Sequence, residues 1–403
     1  MIERRSVLTG GLAAAMAATP LARGSAATPG VTAHSLKIGN TMPYSGPASS
    51  YGVIGRSETA YFKMLNEQGG IDGHKIDFIS LDDGYSPPRT VEDVRRLLDA
   101  DHVDFLFQTL GTPTNSAIAR YVNHRQVPQL FVGSGASKWA DYKKYPWTMG
   151  WQPNYRTEAG IYAQYALDHV KAPKFAVLYQ NDDFGKDYPL GVRDVLGRQK
   201  AKIPIHTASY ETTDATVDSQ IVSLQASGAN VLVVGGIPKF AAQAIRKVHE
   251  LNWKPMFFMT NVSISVGEVM RPAGPENGIG ILSTGYLKDP TDPNWDNDPA
   301  MKAWRGFMAK YLPQGDVTDA SYVFGYGITQ TMAQVLRQCK GNFSRANVMH
   351  QAESLRDFEV AVLLPGIKLS TSHTDHRPIK QMQMQRWDGK TWKRFGGLMG
   401  NTV

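Results

Sequence analysis

The segment Gly133-Ser134-Gly135-Ala136-Ser137-Lys138 holds the residue types from which a phosphate cradle or a nucleophile could be built. Two glycines let a backbone approach a ligand closely, and two hydroxyls can donate or attack. A phosphate loop, however, needs four residues between its first Gly and a Gly-Lys-Ser/Thr, and a nucleophile elbow needs Gly-x-Ser-x-Gly; neither spacing is met. His373, Asp375 and His376 have metal-ligand types, but a hydrogen-bonded turn in a polar stretch uses the same residues. Asp82-Asp83 could work as an acid–base pair or open a turn ahead of a helix starting near Pro87-Pro88. No nucleophile, base and orienter occur in a convincing set, so no enzyme activity is expected. Trp139, Trp147, Trp151 and Tyr155 lie within 17 residues and off helical spacing. They could pack a core, or line a pocket between two domains, with Trp151 expected to face ligand.

These residues sit among short apolar runs that alternate with helical patterns, the signature of a parallel sheet covered by helices. Strands are expected at Leu36 to Gly39, Lys75 to Leu81, Val103 to Phe107 and Gln129 to Val132. The rhythm restarts at Phe175 to Tyr179, Ile203 to Ser209, Val231 to Val234 and Met256 to Met259. Helices fall between, such as Arg89 to Asp99 and Glu58 to Gln68, the latter ended by Gly69-Gly70. The tail reads as two helices, Ala300 to Tyr311 and Tyr322 to Arg337, then strands near Val360 to Leu369, Ile379 to Trp387 and Thr391 to Phe395. The fold class is therefore α/β, with two doubly wound halves. Open sheets of this kind bind ligands beyond the carboxyl ends of their strands, where the loops here are rich in Gly, Ser, Thr, Asn and aromatics.

Composition narrows the classes further. With 403 residues and 42% hydrophobic content the chain can fill two domain cores. Residues 1–26 combine Arg4-Arg5, an apolar stretch from Val7 to Ala22 and the small residues Gly24-Ser25-Ala26, which reads as a cleaved export signal of twin-arginine type. The apolar stretch is shorter than the roughly 20 residues a membrane span requires. Removing that segment lowers the net charge from +7 to about +5. Lys and Arg are scattered among acids, which argues against a nucleic-acid partner. One cysteine, Cys339, excludes an intramolecular disulfide and a Cys-based zinc site in a monomer, the expected state.

Several motifs taken in order carry a resemblance. Ser45-Gly46-Pro47 with Tyr51-Gly52, then Asn66-Glu67-Gln68-Gly69-Gly70-Ile71-Asp72-Gly73, Asp82-Asp83 and Gly135-Ala136-Ser137 resemble the Leu/Ile/Val-binding type of periplasmic solute-binding protein, which serves an ATP-driven (ABC) importer. The likeness runs from about Leu36 to the C terminus. It implies the type I fold, two lobes joined by three crossings, with residues 36–153 and 285–360 in the first lobe and 154–284 and 361–403 in the second. It implies closure about crossings near Gln152 to Tyr155, Thr284 to Gly285 and Val360 to Leu364. It implies no cofactor, a membrane permease as partner, and a ligand carboxylate met by Thr112, beside Leu110 and Gly111, and by the backbone and hydroxyl groups of Gly135, Ala136 and Ser137.

The departures are informative too. Asn261 stands where amino-acid binders of the family place a Glu for the ligand's ammonium, Phe184 and Ile237 each replace a Tyr, and Tyr85 and Gly111 stand at the cysteines of a first-lobe disulfide. Burying an ammonium without an anionic partner is costly. The resemblance therefore implies an extracytoplasmic receptor for a small hydrophobic or aromatic carboxylic acid, stacked against Tyr51, Trp151 and Phe184. A branched-chain or aromatic amino-acid receptor, or a ligand sensor of the same fold, is the alternative.

Overall fold

The computed structural model describes residues 28–400, so the expected export signal lies outside the described residues. The first sheet has five parallel strands in the order β2-β1-β3-β4-β5: β1 (Ser35–Met42), β2 (Lys75–Asp82), β3 (Phe105–Phe107), β4 (Gln129–Val132) and β5 (Thr148–Gly150). All residues of β3 and β4 are buried, as expected of strands covered on both faces. Helices α1 (Gly52–Glu67), α2 (Pro87–Asp99) and α3 (Thr112–His124) connect these strands. Gly70 ends the α1 turn at φ 82, where a Cβ would stand 2.1 Å from the His74 carbonyl oxygen.

The second sheet has seven strands in the order β12-β11-β10-β9-β8-β6-β7: β6 (Phe175–Gln180), β7 (Ile205–Tyr210), β8 (Val231–Gly235), β9 (Met256–Met259), β10 (Leu282–Gly285), β11 (Gln381–Trp387) and β12 (Trp392–Gly400). Only β11 and β12 run antiparallel to their neighbours. It carries α4 (Tyr155–His169), α5 (Asp183–Arg198), α6 (Asp218–Ala226), α7 (Pro238–Glu250) and the single turn α8 (Arg271–Ala273). Three later helices follow: α9 (Pro299–Tyr311), α10 (Ala320–Gln338) and α11 (Arg345–Ala352). Helix α10 packs along α1, beside the first sheet. We call each sheet with its helices a lobe. The chain passes between lobes after β5, after β10 and after α11.

The tail differs from the sequence expectation. Residues 360–369 form no strand; they make single bridges, Leu363 with Leu287 and Phe358 with Leu369. Their buried apolar residues pack on the rest of the chain without a continuous ladder, so hydrophobicity alone misled. Thr284 and Gly285, expected near a crossing, end strand β10, directly before the chain leaves the second sheet. No helix among the described residues is long and apolar enough to cross a membrane.

Candidate functional site

A cavity of about 100 Å³ lies between the lobes, at the carboxyl ends of strands from both sheets. Six aromatic residues stand in its walls, Tyr51, Tyr85, Tyr155, Phe184, Tyr286 and Phe324, among aliphatic and polar neighbours. Phe184 meets the Tyr155 ring edge-on at 4.8 Å. The lobes also touch directly around it. The Tyr51 hydroxyl donates to the Val262 carbonyl at 2.9 Å, and the Ser265 hydroxyl to Asp319 Oδ1 at 2.8 Å.

On the first lobe the chain leaving β3 forms the floor. Gln108 is fully buried, with a left-handed φ of 51 that is uncommon outside glycine. The Asn40 amide holds this backbone by donating to the carbonyls of Phe107 and Gln108 at 2.9 and 2.8 Å. Asn115 donates to the carbonyls of Thr109 and Gly111 from the other side. The Gln108 side chain lines the cavity, and neither its Nε2 nor its Oε1 has a protein partner. Beyond it, Gly111 at φ 105 starts α3 without a side-chain cap, leaving the Thr112 end of the helix turned to the cavity. The Thr112 and Ser134 hydroxyls share a 2.6 Å hydrogen bond.

On the second lobe a buried carboxylate sets the geometry. Glu158 Oε1 accepts from the Asn261 N–H at 2.8 Å and from the Thr284 hydroxyl at 2.8 Å, while Oε2 accepts from the Tyr188 hydroxyl at 2.7 Å. Burial pushes its carboxyl up, and the hydroxyl bonds from Tyr162 and Tyr188 pull it back. Held this way, Asn261 lines the cavity; its Nδ2 and Oδ1 make no hydrogen bond, although the amide stands near enough to Glu158 to help draw that carboxyl back down.

Of the residues that sequence and resemblance single out, Tyr51, Leu110, Gly111, Thr112, Phe184, Ile237 and Asn261 line this cavity. Gly135, Ala136, Ser137 and Trp151 do not. The small residues of the opening segment serve the chain itself. A Cβ on Gly135 would stand 2.4 Å from the Pro153 carbonyl oxygen, and the Gly135 carbonyl accepts from Tyr155 N–H at 2.9 Å. Ala136 N–H reaches the Ser134 hydroxyl at 3.2 Å. Ser137 does hold a carboxylate, but it is that of Asp187, on α5 of the other lobe: N–H to Oδ2 and Oγ to Oδ1, both 2.7 Å. Trp151 is fully buried behind the wall, its ring edge-on to Phe324 at 5.2 Å and its Nε1 donating to Thr331 at 3.0 Å.

Sequence reasoning missed Gln108, which follows β3 directly and so stood where the strand-end rule points. It also missed Tyr286 and Phe324, for which no local signal exists. Tyr85 and Gly111 adjoin: a Cβ on Gly111 would lie 2.6 Å from the Tyr85 ring.

Two charged side chains line the cavity. The Lys288 ammonium is spent on Asp298, at 2.8 Å, and on the Ala361 carbonyl. Asp289 Oδ1 accepts from the N–H and hydroxyl of Thr291 at 2.7 and 2.6 Å, and burial pushes its carboxyl up to about 6. No group of three metal-ligating side chains occurs among the described residues. His376 is buried, with Nδ1 at the Thr148 carbonyl and Nε2 at Glu353. Asp375 pairs with Arg377 and Lys380. Asp83 accepts from Tyr85 N–H and the Thr90 hydroxyl, at the turn into α2.

Comparison with known proteins agrees with this architecture. The family model described as periplasmic binding protein matches residues 35–391. Leu/Ile/Val-binding protein homolog 1 of Brucella suis is 25% identical over 311 residues, 76% of this chain and 79% of that protein. A branched-chain amino acid ABC transporter protein from Thermus thermophilus, solved with bound valine, superposes with a TM-score of 0.82 at 13% identity, over 91% of this chain and 97% of that one. A fatty acid ABC transporter substrate-binding protein from Thermomonospora curvata gives 0.76 at 17% identity, over 92% and 94%. The chain belongs to the periplasmic binding protein family and has its type I fold.

Proposed function

We propose that this periplasmic binding protein is the receptor of an ABC importer, and that it holds a small apolar or aromatic carboxylic acid between its lobes. The observation that carries the reading is the cavity's chemistry: six aromatic rings, neutral amides and hydroxyls, and no cation or carboxylate free of protein partners on both oxygens. A carboxylate would sit at the uncapped start of α3, against Thr112 and Gln108. Helix N-termini and oriented donors bind such groups without a buried cation. Closure would follow from contacts to both lobes, because a ligand shifts an equilibrium only by its differential affinity. The protein works outside the cytoplasm on this reading, performs no reaction, needs no cofactor and hands its ligand to a permease.

One observation favours a second reading. Asp289 lines the cavity with only Oδ1 engaged, so an ammonium could find an anionic partner there. Relatives named for leucine, isoleucine and valine point the same way. A thermal-shift panel of benzoate, phenylacetate and cinnamate against leucine, isoleucine, valine and phenylalanine separates the two. Ligand at 100 times its Kd stabilises by about 2.7 kcal/mol, enough to move the midpoint. Shifts from the acids alone support the first reading, and shifts from the amino acids alone the second.

A further inference from the structure

Tyr85 lines the cavity from the turn that follows β2. The Ser86 N–H closes this turn on the Asp83 carbonyl at 2.9 Å, and both residues between are left-handed, Gly84 at φ 57 and Tyr85 at φ 60. Such a backbone suits glycine, asparagine and aspartate; a bulky aromatic residue there is strained, and strain of that kind persists where the surroundings hold it. The Asp83 carboxylate helps to hold it, accepting from the Tyr85 N–H at 2.9 Å. The ring lies against Gly111, where a Cβ would come within 2.6 Å of it. Its hydroxyl crosses to the second lobe and accepts from Gln180 Nε2 at 3.4 Å. Gln180 is fixed in turn: its amide donates to Asp182 at 2.6 Å and accepts from the Tyr210 hydroxyl at 3.2 Å. Tyr85 is 6% exposed and Gln180 2%, so the ring fills the space between the lobes on this side of the cavity.

We propose that Tyr85 is a specificity residue whose ring is the stop that sets the largest ligand the cavity accepts. The turn, the glycine and the opposing amide fix the ring from three directions, and closely packed groups yield little. A ligand too large for the cavity must push the ring off Gly111 or hold the lobes apart at Gln180. Without the ring, the cavity would extend toward Gln180 and the turn. The use of carboxylic acids as probes rests on the function proposed above; the size limit does not.

Calorimetry on the mature chain with two graded series tests this: benzoate, phenylacetate, 3-phenylpropanoate and 5-phenylpentanoate, and the amino acids alanine, valine, leucine and phenylalanine. In a series that binds, affinity for the unaltered chain should fall at least about tenfold beyond one member, the scale of a methylene or two that a pocket cannot hold. Tyr85→Gly, which keeps the left-handed backbone, should move that limit to a larger member and raise the affinity of the first rejected one at least about tenfold; Tyr85→Asn serves if the glycine variant is unstable. Tyr85→Phe, which keeps the ring and loses the contact with Gln180, should keep the original limit. An unmoved limit in a folded glycine variant, no limit in the unaltered chain, or a limit moved equally by Tyr85→Phe would overturn the proposal and leave the function proposed above standing. A limit that moves in the amino-acid series alone would sustain it while removing the carboxylic-acid reading. No binding in either series, by either protein, would overturn both.

Discussion

Ser137 and Asp187 join the two lobes through a pair of 2.7 Å hydrogen bonds, in which the backbone N–H and hydroxyl of one residue grip both carboxylate oxygens of the other. A nest that could have taken a ligand's carboxylate thus holds one of the protein's own. The cleft is latched from within, beside the ligand cavity and not inside it.

The latch makes closure sensitive to pH. Burial pushes Asp187 up to about 6 from 3.8, against the pull of the Ser137 donors and Arg156 and with Asp183 adding to the rise. An opened cleft would return it toward its ordinary value, so the closed form binds a proton that the open form does not. The contribution to closure is therefore full below about pH 4 and lost as pH rises through about 6. Asp187→Asn should flatten the dependence of ligand affinity on pH between 4 and 7. Asp182, also pushed up to about 6, would leave a residual slope. Identical slopes for the two proteins would remove the latch from the account.

Glu158 should be a stability determinant more than a ligand group. Glu158→Ala takes the acceptor from the Thr284 hydroxyl and the Asn261 N–H and one partner from Tyr188, at a cost of about 1–3 kcal/mol for each buried donor left unsatisfied. Glu158→Gln keeps one acceptor and should cost less. Urea denaturation measures both, and a loss below about 1 kcal/mol for the alanine variant would show that the network is dispensable.

Trp151 should behave as a supporting residue. Trp151→Phe removes the bond to Thr331 and part of the packing behind Phe324. It should lower stability by about 1–3 kcal/mol and change ligand affinity by less than about threefold. Phe184→Ala, which strips the wall itself, should weaken binding at least tenfold. If calorimetry finds the opposite order, the wall has been assigned to the wrong ring.

The parallel strands were readable because they are buried on both faces: Gln129 to Val132 and Met256 to Met259 were placed to the residue. Three-residue β5, with nothing but Thr148, Met149 and Gly150, is too short to carry a pattern. The cavity lining was legible in loops that follow strands, as at Thr112 and Asn261. The small residues that suggested a ligand lie outside that lining, where Gly135 is small to admit Pro153 and Tyr155. Likewise an aromatic cluster on the sequence does not say which ring faces the cavity and which stands behind it. That depends on α10, which supplies Phe324 and Thr331 from far along the chain.

The most direct test of the central claim compares two ligands that differ by one ammonium: 3-phenylpropanoate and phenylalanine, titrated calorimetrically into the mature chain. With Asp289 the one carboxylate lining the cavity and its Oδ1 already held by Thr291, the account predicts that phenylpropanoate binds and that phenylalanine binds at least tenfold more weakly, burial of an unpaired ammonium being costly. Tighter binding of phenylalanine, lost in Asp289→Asn, would contradict it and make this an amino-acid receptor.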